Sequence, residues 1–92
     1  MSIVVRYSPV GVTAAMYDRV NARVQSTLDW PPDGLQYHVC FGAEGDLRVS
    51  EIWDSREQWE AWGKELIPLV ITEGVQFAGE PEVFEVHNIE RP

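Results

Sequence analysis

The residues best suited to move a proton in this chain are an imidazole and a carboxylate on facing strands, His38 and Glu51. Ala43-Glu44-Gly45-Asp46 separates two alternating stretches and has a glycine where a tight hairpin needs positive φ. With Glu44 and Gly45 as the two central residues, Ala43 opposes Asp46. Counting back then places His38 opposite Glu51, Cys40 opposite Val49 and Gln36 opposite Trp53. A carboxylate beside an imidazole fixes its tautomer and suits it to general acid–base work near neutral pH. A purely structural cross-strand bond is the alternative, and a three-residue loop would slip the register by one and dissolve the pair.

Three of the four tryptophans, Trp53, Trp59 and Trp62, fall within ten residues where a strand hands over to a helix. Tryptophan seeks a partner for its indole N–H, so this cluster reads either as the wall of an aromatic pocket or as core. Tyr17 and Asn21 lie one helical turn apart at the edge of an apolar stripe. There they could offer a hydroxyl and an amide to a ligand, or simply border the core. Cys40 has no basic neighbour in sequence to lower its pKa and reads as an inert thiol. His87 lies too near the carboxyl end to be assigned a role. Two histidines on different strands give no grounds for a metal site. No P-loop, dinucleotide fingerprint or nucleophile elbow is present.

The elements that must position these groups follow from periodicity. Ser2-Ile3-Val4-Val5-Arg6-Tyr7 is β-branched and is broken by Ser8-Pro9-Val10-Gly11, as expected of a first strand. Tyr17, Val20, Val24 and Leu28 recur at helical spacing from about Thr13, a suitable N-cap, to Leu28. Trp30-Pro31-Pro32-Asp33-Gly34 must turn. In the second strand Leu35, Tyr37, Val39 and Phe41 share one face and Gln36, His38 and Cys40 the other. Leu47 to Trp53 alternates as a third strand. Ser55 and Gln58 form a capping box for a second helix with Trp59, Trp62, Gly63, Leu66 and Val70 inward and a Glu60–Lys64 pair outside. Pro68 is expected to kink or end it, and Glu82 to Ile89 to form a last strand.

The order βαββαβ predicts an α+β, ferredoxin-like domain over residues 1–92: a four-stranded antiparallel sheet with both helices on one face. Apolar residues on both faces of such a sheet predict a homodimer packed sheet to sheet. A chain this short buries only roughly 60–65% of its unfolded surface, so a partner would help. Fifteen acidic residues against seven basic give a formal charge of −8. That disfavours nucleic acid and anionic membrane surfaces and leaves protein partners and hydrophobic or aromatic small molecules. A composition 45% hydrophobic without a bilayer-length apolar run, a single cysteine and no visible secretory leader predict a soluble, cytoplasmic protein.

Strand three ending in Trp53-x-Ser55, an aromatic at Trp59 and a tryptophan at Trp62 resemble the dimeric α+β barrels that include antibiotic-biosynthesis monooxygenases and heme-degrading monooxygenases. The resemblance covers nearly the whole frame. It implies that Trp62 projects from the second helix into a pocket. In the heme-degrading branch an axial histidine would fall ten residues later, where this chain has Thr72, and a first-strand asparagine is replaced near Tyr7. Heme degradation by that route is therefore not expected, and no cofactor is. The Pro31–Gly34 turn, His38 and the His87-Asn88 pair are also similar to a broad group of small uncharacterised proteins, a likeness that implies fold and not activity.

Two functions from different classes remain. One is a cofactor-independent monooxygenase or isomerase acting on an aromatic or polycyclic substrate, with His38 and Glu51 moving a proton, Tyr17 or Asn21 orienting an oxygen, and Trp53, Trp59 and Trp62 excluding water. The other is a non-catalytic dimeric module that binds a hydrophobic ligand or a protein partner.

Overall fold

The computed structural model of the protein describes residues 1–92. Its elements run β1 (Ile3–Tyr7), α1 (Ala14–Thr27), β2 (Leu35–Ala43), β3 (Asp46–Trp53), α2 (Arg56–Thr72) and β4 (Glu82–Glu85). The strands form one antiparallel sheet in the order β2-β3-β1-β4. Both crossovers carry a helix, and both helices lie on the same face, where Ile3, Val5, Tyr7 and Trp53 pack with Val20 and Val24 of α1 and Trp62 and Val70 of α2.

Local chemistry sets the element boundaries. Thr13 caps α1, its hydroxyl accepting from the Met16 N–H at 3.1 Å. Ser55 does the same for α2, accepting from the Gln58 N–H at 3.2 Å, which satisfies a donor that has no partner inside the helix. Gly45 turns the β2–β3 hairpin at φ 82°, a conformation that costs glycine little. The hairpin tip is fastened to the start of α1, because Glu44 accepts from the Ala14 N–H at 2.7 Å.

Pro68 lies inside α2 and does not end it, and three further sequence expectations need correction. The cost of a proline in a helix, about 3 kcal/mol, is offset by Leu66, Ile67, Leu69 and Val70 packing on the core around it. The last strand stops at Glu85 instead of reaching Ile89, because Glu85 already faces Ile3, the first residue of β1. Glu60 pairs with Arg56 at 3.8 Å instead of with Lys64. Finally, β2 bulges between Leu35 and Tyr37, so Leu35, not Gln36, opposes Trp53. A bulge adds a residue and reverses the alternation on one side of it. Leu35 therefore packs on the core while Tyr37 lies on the opposite face with Ile52. The extra residue is used: the Gln36 amide donates to Asp54 Oδ1 at 2.7 Å and to Ser2 Oγ at 3.1 Å, joining three strand ends.

The face away from the helices has no covering layer. Tyr37 is 54%, Phe41 36% and Phe84 53% exposed there, alongside the half-buried Val4, Val39 and Ile52. No helix is long and apolar enough to cross a membrane.

Candidate functional site

Between the helices and the covered face of the sheet lies a cavity of about 110 Å³. A water needs about 10–15 Å³ by a comparable measure, so the space suits an organic molecule better than one solvent molecule. Of its 18 lining residues, 14 are hydrophobic, and the polar side chains on its wall are Asn21, His38 and Glu51 with the phenols of Tyr7 and Tyr17. Neither lysine nor arginine reaches it.

The hairpin register puts His38 opposite Glu51 and turns both toward the helices, as it does Cys40 and Val49. His38 Nδ1 lies 2.7 Å from Glu51 Oε2, and its Nε2 lies 2.6 Å from the Tyr17 hydroxyl, delivered by α1. The second oxygen of Glu51 accepts the Trp53 indole N–H at 3.1 Å. An indole nitrogen can only donate and a carboxylate can only accept, so the carboxylate of Glu51 sets the directions along the chain. Glu51 accepts from Trp53 and from His38 Nδ1–H, and in that tautomer Nε2 accepts the Tyr17 O–H. Glu51 is 3% exposed, a burial that a carboxylate tolerates when both of its oxygens are hydrogen-bonded. Burial, reinforced by nearby Cys40, Glu51 and Asp18, pushes the Tyr17 phenol up to about 12, so it keeps its proton at neutral pH.

A second polar pair stands on β1. The Trp59 indole donates to the Tyr7 hydroxyl at 2.7 Å. Burial and the charge of Glu51 raise the Tyr7 phenol well above its ordinary range, against the lowering effect of the Trp59 bond. Tyr7 and His38 stand two strands apart, with β3 between β1 and β2, or about 10 Å from one polar edge of the cavity to the other.

The structure brings His38, Glu51, Tyr17, Asn21 and Trp62 to the cavity wall. Trp53 and Trp59 do not line it. Trp53 is wholly buried beneath Glu51, and Trp59 stands behind Tyr7, where Arg56 stacks on its ring at 5.9 Å. The aromatic wall is completed instead by the fourth tryptophan. Trp30 packs edge-on to His38 at 5.9 Å between ring centres and against Trp62 at 6.1 Å. Among its neighbouring prolines it reads only as part of a turn. Tyr7 and Phe77, whose ring centres lie 6.1 Å apart, also line the cavity without a signal for it in the sequence. Phe77 sits in a loop with no periodicity, held by an isolated bridge to Pro9.

The remaining chemistry-bearing residues are quiet. Burial, with Asp18, raises the Cys40 thiol and so disfavours its thiolate. No three His, Cys, Asp or Glu side chains gather to hold a metal. Thr72 is exposed at the end of α2 with its hydroxyl donating to the Pro68 carbonyl at 2.9 Å. Both ring nitrogens of His38 are engaged within the protein. The donor set therefore does not fit a heme iron.

Solved structures place this architecture. SnoaB, a cofactor-independent oxygenase from Streptomyces nogalater, superposes with a TM-score of 0.62 over 96% of this chain and 93% of its own, at 15% identity. A candidate antibiotic biosynthesis monooxygenase from Deinococcus radiodurans gives 0.60 over 100% and 98%, at 13% identity. The heme-degrading protein Rv3592 from Mycobacterium tuberculosis gives 0.57 over 99% and 100%, at 20% identity. No protein-family model and no curated protein matches the sequence. At these identities the likeness is one of fold: the chain has the ferredoxin-like α+β fold of the antibiotic-biosynthesis-monooxygenase-like proteins.

Proposed function

We propose that the protein is a cofactor-independent oxygenase acting on a neutral aromatic or polycyclic molecule held in the cavity between helices and sheet. The observation that carries this reading is the hydrogen-bonded series Tyr17–His38–Glu51–Trp53 ending on an apolar cavity. His38 is the base, Glu51 fixes its tautomer, and Tyr17 passes a proton between ligand and imidazole. Removing a proton from an activated CH₂ yields a carbanion that can reduce O₂ without help. One oxygen atom becomes the new carbonyl, and the other leaves as water with the two protons. Trp62 and Trp30 keep solvent from the carbanion. Asn21 supplies an amide to a ligand oxygen.

An oxygen electrode with anthrone as the probe tests this: uptake that falls at least tenfold in His38→Ala and Tyr17→Phe supports it. Binding without uptake would favour the second reading, a ligand-binding module, which the closed hydrogen bonding of His38 also supports.

We further infer a homodimer formed through the open sheet face. Only 10 of 92 residues are buried in the single chain, and Tyr37, Phe41 and Phe84 leave an apolar patch that a second copy would cover. Light scattering should give twice the 10.5 kDa of one chain. We place the protein in the cytoplasm, in keeping with its lone free cysteine.

A further inference from the structure

We infer that the cavity discriminates by charge: it accepts an aromatic molecule bearing a neutral hydroxyl and rejects the matching carboxylate, with Glu51 as the specificity-determining residue. The inference rests on the cavity being a ligand site, as proposed above, and adds which ligands enter.

Three observations carry it. First, the wall holds one carboxylate, 3% exposed, and no cation to balance an incoming anion. Basic side chains stand elsewhere: Arg19 pairs with Glu73 at 3.0 Å, and Lys64 borders a separate groove behind Tyr7. Second, the direction of the hydrogen bonds decides what the polar edge offers. Trp53 donates to Glu51, Glu51 holds the Nδ1 proton of His38, and His38 Nε2 takes the Tyr17 proton. The Tyr17 oxygen therefore faces the cavity as an acceptor. A ligand hydroxyl can donate to it, whereas a carboxylate has no proton to give. Third, the donors that remain, the Asn21 amide and the Tyr7 hydroxyl, are neutral. They can donate to a ketone or phenol oxygen but cannot replace the hydration of a full charge in a cavity lined by aliphatic and aromatic carbon.

The matched probes are 2-naphthol and 2-naphthoate, compared by calorimetry and by quenching of tryptophan fluorescence at about pH 8, where imidazole is ordinarily neutral. Naphthol should bind at least about 100-fold more tightly, a ratio set by the typical cost of an unpaired buried charge. Glu51→Gln should narrow the ratio by improving naphthoate. Tyr17→Phe removes the acceptor without touching the charge, and should weaken naphthol about tenfold while leaving naphthoate unchanged. If Glu51→Gln does not fold, the wild-type ratio and Tyr17→Phe still decide. Equal binding of the two probes, each sensitive to Trp62→Phe, would overturn charge selection and leave the cavity reading standing. Binding of neither would overturn both.

Discussion

The two faces of one sheet put the same strands to opposite uses. On the covered face, His38, Glu51 and Trp53 are polar or amphipathic groups whose buried hydrogen-bonding atoms are partnered. On the open face, Tyr37, Phe41 and the half-buried Ile52 are predominantly apolar and have no covering layer. The usual arrangement buries the oil and exposes the polar groups, and here each face departs from it. A buried polar set with full hydrogen bonding costs stability unless every member is present, which is the reason for proposing chemistry there. An exposed apolar set costs little in the single chain, and it is the reason for proposing a second copy on this face.

Removing one member of the covered set should have the largest effect. Glu51→Ala strands the Trp53 N–H and the His38 Nδ1–H in the interior and should cost about 3–5 kcal/mol in urea unfolding, the usual penalty for breaking a buried pair. A loss below about 1 kcal/mol would mean that the polar set contributes nothing beyond ordinary contacts. Trp53→Phe, which removes one donor and trims a wholly buried ring, should cost roughly 2–3 kcal/mol.

Tyr17 allows a subtler check. Its phenol, pushed up to about 12 by burial, is protonated in the folded chain over a range where the unfolded chain, with an ordinary value near 10, has already ionised. The folded state binds the extra proton, so the stability this group contributes is fully present below about pH 10 and is lost as pH rises toward 12. Stability should fall across that window by on the order of 1 kcal/mol from this group, and Tyr17→Phe should flatten part of the decline. An unchanged slope in the variant would contradict the buried setting given to Tyr17.

The open face should respond differently. Tyr37→Ser with Phe84→Ser should alter the stability of the single chain by only about 0.5 kcal/mol per site, yet halve the mass seen by light scattering. A wild-type mass already equal to one chain would remove the dimer.

Much of this contrast is legible in the sequence. The βαββαβ order follows from periodicity and from the caps at Thr13 and Ser55. The facing of His38 and Glu51 follows from one local fact, a two-residue turn at Glu44-Gly45, because register propagates from a hairpin. Propagation fails at Gln36, where a bulge absorbs the mismatch between the strand and the Gly34–Asp54 connection, in which the Asp54 N–H donates to the Gly34 carbonyl at 2.8 Å. No local residue signals it. The tryptophans show a second limit. Side-chain type gives an indole something to bond, but only tertiary placement assigns Trp53 to Glu51, Trp59 to Tyr7 and Trp30 to the cavity wall. That last assignment brings together a turn, a strand and a helix far apart in the chain.

The most direct test is to locate a bound aromatic alcohol. With 2-naphthol present, heteronuclear NMR should show the largest shift changes at Tyr17, His38, Trp30 and Trp62, with intermolecular contacts from the ligand ring to Trp62. Changes confined to Tyr37, Phe41 and Phe84 would place the ligand on the open face and contradict a functional cavity beneath the helices.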